Sequence, residues 1–262
     1  MKQKIYQIDA FTANLYGGNP AAVCVLQKWL PEKVMQNIAM ENNLAETAFV
    51  VKNEIDYEIR WFTPETEVDL CGHATLASAY VIFNYYEKEK KEIVFASLNR
   101  GLLHVSLQED GSISLDFPKD TLNPIQASED LIQAIGKKPV AAFKGITDIM
   151  LIFKSEKQIR DINPNFHLLG QLAVRGIIIS AVGDNVDFVS RFFAPNCGIN
   201  EDPVTGSAHT SLVPYWSEKL GKNKLSARQL SRRGGAIECR IKDDRVILTG
   251  LAVPYLEGYI AI

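Results

Sequence analysis

A thiol and an imidazole two residues apart, Cys71 and His73, open a run of small side chains in "LCGHATLASAY", and a carboxylate, Asp202, opens a second such run in "EDPVTGSAHTS". A third site of interest is Glu46, the one charge in the otherwise apolar or small segment "LAETAFVV". Glu46 is either a solvent-facing strand residue or a carboxylate turned into a cavity. Partial burial would disfavour its charge and raise its pKa, which suits a group that takes a proton and returns it. Cys71 is either an inert packing thiol or, at a helix start beside His73, a nucleophile with a lowered pKa. Side chains two apart at a helix start seldom face one another, which argues against the thiol enzyme. His73 can hold substrate or act as a secondary acid–base group near neutrality. Asp202 is either a helix N-cap before Pro203 or a cleft carboxylate.

These residues need elements to position them, and the chain builds those elements twice. With a constant offset of 131, Arg60 meets Arg191, Phe62 meets Phe193, Pro64 meets Pro195, Ala77 meets Ala208, Trp61 meets Phe192 and Cys71 meets Asp202. Each copy reads as strand, turn and small-residue helix, followed by a hairpin. "GLLHVSLQEDGSISLDF" alternates apolar and polar residues about a Glu109-Asp110-Gly111 turn, and "GGAIECRIKDDRVILTG" does so about Asp243-Asp244. "IVFAS" and "KLSARQ" add a strand at comparable places, and "YQIDAF", "AAVCVL" and "TAFVV" lie upstream in the first copy, "DIMLIF" and "GIIISAV" in the second. The Ala, Ser, Thr and Gly of "GHATLASAYVIF" and "TGSAHTSLVPYW" let a helix sit close to surrounding strands. Pro214 is expected to kink the second helix or end it early.

The expected fold is α+β: two pseudo-symmetric domains, each a curved, barrel-like mixed sheet around a central helix. The domains are placed at 1–118 and 119–262, divided in "PKDTLNP", with a C-terminal strand near 254–262 as a candidate to return to the first domain. The charge run "EKEKKE" reads as a solvated helix end or loop.

Composition removes several function classes. The chain has 262 residues, 47% hydrophobic and 23% charged, with a formal charge of −3, which gives no electrostatic case for nucleic acid or acidic membranes. Four scattered cysteines form no CxxC, and a reducing, cytoplasmic setting fits them best. No run approaches the length of a membrane span, and GxGxxG, P-loop and HExxH motifs are absent.

A buried helix that starts at a turn aims unsatisfied N–H groups and its positive dipole end at what lies before it. Two such starts facing one cleft would make an anion site from backbone at 72–74 and 205–207, suited to a small carboxylate. "GGNPAAV" carries a turn signature ahead of a strand.

The two tips resemble the halves of the diaminopimelate epimerase fold, in which each domain offers one cysteine at a helix start. This chain departs from that pattern by having Asp202 for one thiol and His73 beside the other. Both changes are similar to the PhzF-like branch, after the isomerase of phenazine biosynthesis. The resemblance runs through "DAFTANLYGGNPAAVCVL", "NNLAETAFV", "LCGHATLA" and "NEDPVTGSAH". It implies the two-domain fold, an isomerase, no metal or organic cofactor, and often a homodimer. It implies Glu46 as the acid–base residue, His73 and Asp202 as its catalytic partners, and a substrate-binding set of Asn19, Gly72, Ala74, Gly206 and Ser207, with Cys71 as a secondary participant.

The expected function is thus a cofactor-independent isomerase that moves a proton within a small carboxylate or amino-carboxylate metabolite, with no nucleic-acid or membrane partner. Two opposed thiols serve stereoinversion, and a single base serves a proton shift along one face. A metabolite-binding protein without chemistry and a Cys71-dependent thiol enzyme are the alternatives.

Overall fold

The structure is a computed structural model that describes residues 2–98 and 101–262. It divides into two compact units: unit 1 holds residues up to Phe117 together with Ile247–Ile262, and unit 2 holds Pro118–Val246.

In unit 1, β1 (Lys2–Ala10) turns through Gly18 into the antiparallel β2 (Asn19–Leu26), and helix α1 (Glu32–Asn42) carries the chain to β3 (Glu46–Lys52), parallel to β2. β4 (Tyr57–Phe62) lies antiparallel to β3, and the short β5 (Glu67–Val68) folds back on it. Helix α2 (Gly72–Val81) then crosses to β6 (Glu92–Ser97), which pairs parallel with β4 and antiparallel with β7 (Gly101–Leu107), itself paired with β8 (Ile113–Pro118). The charge run 87–92 lies in the connection before β6 and at its first residue.

Unit 2 repeats this pairing code. β9 (Asn123–Ile125) leads through α3 (Glu129–Ile135), capped by Ser128 and stopped by left-handed Gly136, to β10 (Ala141–Lys144) and the antiparallel β11 (Asp148–Ile152). The short helices α4 (Glu156–Asp161) and α5 (Phe166–Leu169) precede β12 (Gly176–Val182), which is parallel to β11 as β3 is to β2. β13 (Phe188–Ala194) is antiparallel to β12, and β14 (Ile199–Asp202) folds back on β13. After α6 (Gly206–Leu220), β15 (Lys224–Gln229) pairs parallel with β13 and antiparallel with β16 (Gly235–Lys242). β17 (Arg245–Gly250) follows the Asp243-Asp244 turn, where Asp243 takes a φ of 55°, and leads the chain back into unit 1. There β18 (Ala252–Ala261) pairs antiparallel with β1, from Lys2 opposite Ala261 to Ala10 opposite Ala252. The architecture is α+β, with a mixed sheet wrapped about a central helix in each unit.

The central helices follow from their composition. Every residue of α2 except Tyr80 is buried, so no face is left for solvent, and only small side chains let strands approach on all sides. Its hydroxyls stay satisfied by bonding back one turn, Thr75 Oγ1 to the Cys71 carbonyl (2.6 Å) and Ser78 Oγ to the Ala74 carbonyl (2.7 Å). In α6 the expected early end at Pro214 does not occur: the helix continues to Leu220 and the left-handed Gly221. Pro214 cannot donate to the Thr210 carbonyl one turn back, and the backbone N–H of Asp120 donates to it instead (3.1 Å).

Candidate functional site

Three backbone elements of unit 1 bring four of the sequence-predicted residues together. Asn19 is the first residue of β2, Glu46 the first of β3, and Cys71 and His73 stand at the start of α2. Because β2 and β3 are parallel, with Ala21 opposite Glu46, both strands begin at the same end of the sheet. The approach to Asn19 depends on Gly18, which has a φ of 60°; a Cβ there would lie 2.1 Å from the Ala10 carbonyl oxygen.

His73 is the hub. Its Nε2 lies 3.2 Å from Glu46 Oε2, and its Nδ1 lies 3.0 Å from Asn19 Nδ2 and 3.4 Å from Cys71 Sγ. Burial lowers the imidazole pKa from 6.5 to about 3, so the ring is neutral. An amide nitrogen can only donate, so Asn19 makes Nδ1 the acceptor, and the ring proton sits on Nε2, the nitrogen 3.2 Å from Glu46 Oε2. The Glu46 side chain keeps 13% of its surface exposed.

The thiol corrects one expectation. Cys71 and His73 do meet, although side chains two apart on a helix diverge, because Cys71 is not helical: it is the N-cap, with extended φ −140° and ψ 110°. Gly72 and Ala74 fill the first turn of α2, both buried, where backbone N–H groups have no intrahelical acceptor.

Unit 2 builds its own tip. Asp202 ends β14 and is not the helix cap; that place belongs to Thr205. The Thr205 hydroxyl donates to Asp202 Oδ2 (2.5 Å), and Gln229, at the end of β15, accepts from the Thr205 N–H (2.9 Å) and donates to the Asp202 carbonyl (2.7 Å). Gly206 and Ser207 open α6, and Arg175 donates to Ser207 Oγ (3.1 Å) while its Nε donates to Asp148 Oδ1 (2.9 Å). His209, one turn in, donates from Nδ1 to the Thr205 carbonyl (2.8 Å) and is held neutral by burial, its pKa lowered to about 4. The sequence places Thr205 at the tip, within 205–207, whereas Gln229 and Arg175 escape it. Only the end-of-strand position of Gln229 marked it, and nothing in the local pattern marks a buried amide as a brace.

The helix starts also correct the repeat. Measured from helix to helix, Gly72 corresponds to Gly206 and Ala74 to Ala208, so the place of Cys71 is taken by Thr205 and not by Asp202. The offset of 131 holds for β4 and β13, and the stretch from Phe193 to Gly206 is three residues longer than that from Phe62 to Gly72, which accommodates the 3₁₀ turn at Pro195–Cys197.

A partly buried carboxylate beside a neutral imidazole, at the start of a small-residue helix in a duplicated α+β fold, narrows the kinship, and comparison decides it. The model of the phenazine biosynthesis-like proteins, PhzC-PhzF, matches residues 8–258. The chain belongs to this family. A Pseudomonas aeruginosa relative named an uncharacterized isomerase is 45% identical over 258 residues, covering 98% of both chains. A PhzF-family crystal structure from Enterococcus faecalis superposes with a TM-score of 0.96 at 48% identity, covering all of both chains. A hydroxyproline epimerase from Agrobacterium vitis shares the fold alone, with a TM-score of 0.68 at 10% identity over all of this chain and 93% of that one. By class this PhzF-family chain is an isomerase. Among the described residues no helix is long and apolar enough to cross a membrane.

Proposed function

We propose that the chain moves a proton within a small carboxylate or amino-carboxylate metabolite without a cofactor, using Glu46 as the single acid–base residue. The observation that carries this reading is the 3.2 Å approach of Glu46 Oε2 to Nε2 of a His73 that burial holds neutral. A neutral imidazole places no positive charge beside Glu46, and such a charge would weaken a carboxylate as a base.

Glu46 takes a proton from a substrate carbon, and the electron pair left behind shifts into the adjacent unsaturated system. The same proton then returns to a different carbon, so the product is an isomer and the carboxylate is regenerated. The first turn of α2, at Gly72, His73 and Ala74, offers backbone N–H groups to the carboxylate of such a substrate. Asp202, held by Thr205, is assigned a charge or orienting role.

A second reading, a Cys71 nucleophile, has the 3.4 Å contact between Sγ and His73 Nδ1 in its favour. It requires the imidazole to take the thiol proton. A ring whose pKa burial has lowered to about 3 is a poor acceptor, which favours Glu46 as the base.

The test begins with metabolite profiling of extracts incubated with wild-type or Glu46→Gln protein, which identifies the substrate as what only the wild type consumes. Turnover in D₂O should then incorporate less than one solvent deuteron per product. Glu46→Gln should lower turnover by at least about 10²-fold with binding largely kept, and Cys71→Ala should be milder. An active Glu46→Gln enzyme beside a dead Cys71→Ala enzyme overturns this assignment.

A further inference from the structure

Glu46, Cys71 and His73 each present one donor atom, and the three atoms lie within 4.8 Å of one another. From His73 Nε2 the Glu46 oxygen is 3.2 Å away and the Cys71 sulfur 4.0 Å. Around a tetrahedral Zn²⁺, ordinary metal–ligand lengths place neighbouring ligand atoms roughly 3.3–3.7 Å apart, which these two edges straddle. We infer that the three side chains form a binding site for a thiophilic divalent cation of the Zn²⁺ type. The inference concerns a ligand of the pocket and rests on the proposed role of Glu46 only for its consequence, inhibition.

The donor set selects the metal. Thiolate, imidazole and carboxylate together suit Zn²⁺, whereas Mg²⁺ and Ca²⁺ prefer all-oxygen sites. Charge balances as well: the thiol releases one proton to solvent when its sulfur binds, and the resulting thiolate and carboxylate neutralise the dication. The positive end of α2 opposes a cation there, and two anionic ligands in direct contact offset it. The ligands come from a strand start and a helix start, and all three are largely buried, so little ordering remains to be done.

Asn19 supplies the adjustment that binding demands. Coordination through Nε2 moves the ring proton to Nδ1. Turning the Asn19 amide over by half a rotation then replaces a donor with an acceptor at the same 3.0 Å contact. The cation and the proton shuttle thus compete for one constellation, and the bound metal ties up the base.

Chelator-stripped protein titrated with Co²⁺, as a spectroscopic stand-in, should take up one ion per chain. The thiolate-to-cobalt charge-transfer absorption should appear with it, and Zn²⁺ should displace it. In competition with a chromogenic chelator, Cys71→Ser and His73→Gln should each weaken Zn²⁺ binding by at least about 10-fold, whereas Asn19→Asp should hold or tighten it. Cys197→Ser, which alters an exposed thiol, should change nothing. A wild-type chain without the charge-transfer band overturns the inference, as does a folded Cys71→Ser chain that keeps it; if a variant fails to fold, the wild-type spectrum alone decides. Loss of turnover in metal-free Glu46→Gln is read separately, so the cation site and the proton-transfer reading can each fail without the other.

Discussion

Acidification from about pH 7 to about pH 5 should single out the buried histidines. His73 and His209 are held neutral in the fold, with pKa values lowered from 6.5 to about 3 and about 4. In the unfolded chain each takes up a proton near pH 6.5, and in the native state neither does until far lower pH. Below pH 6.5 the unfolded state therefore binds more protons, and stability falls as the pH falls. Because both native values lie below 5, the loss over this interval is set by the unfolded pKa and comes to about 2 kcal/mol per histidine. His209→Gln removes one of these titrations and keeps an N–H that can reach the Thr205 carbonyl. Urea unfolding at the two pH values, followed by circular dichroism, gives the loss for each protein. Whatever the variant's stability near neutrality, it should lose about 2 kcal/mol less than the wild type on acidification, more than a tenfold difference in the unfolding equilibrium. Equal losses in the two proteins would mean that His209 titrates normally in the fold, and would refute the burial argument.

Gly18→Ala puts a Cβ against the Ala10 carbonyl at 2.1 Å in a left-handed conformation, so thermal unfolding should show a loss of about 2 kcal/mol or more, together with a fall in activity as Asn19 shifts. Arg175→Met leaves the buried Asp148 carboxylate without its bidentate partner, and the cost by chemical denaturation should be about 2 kcal/mol, discounted for the partly exposed guanidinium. Adding Asp148→Asn should restore part of that loss, and a double-mutant cycle measures the coupling. Gln229→Ala removes the brace that joins Thr205 to Asp202, and should cost about 2 kcal/mol in urea unfolding and lower turnover without abolishing it.

Most of the architecture was legible because it rests on local chemistry. Alternation about Glu109-Asp110-Gly111 and Asp243-Asp244 gave both hairpins, and the small residues of α2 marked a helix buried on every side. The resemblance named the unit 1 residues that the fold then brings into contact, Glu46, His73, Cys71 and Asn19. What remained hidden depends on contacts distant in sequence. Pro214 looked like a helix breaker, yet its missing donor is replaced by Asp120, more than ninety residues earlier. The equivalence of Cys71 with Asp202 followed from an ungapped comparison, which cannot see three residues inserted before a helix. The Cys71–His73 contact was missed because a helical angle was assumed at a residue that is extended.

The antiparallel pairing of β18 with β1 has a consequence for how the protein is made. Unit 2 is one continuous stretch of chain and can close its sheet as soon as Val246 has left the ribosome. Unit 1 begins emerging first and finishes last, because β1 waits for a strand about 250 residues downstream before its outer edge is covered. During synthesis that edge, carrying unpaired N–H and C=O groups, is exposed for the whole time unit 2 is being translated, which makes it the segment where a stalled or truncated chain would aggregate. Glu46, Cys71 and His73 lie in the same late-closing unit, so a ribosome-bound chain completes its second half's fold before these side chains are assembled.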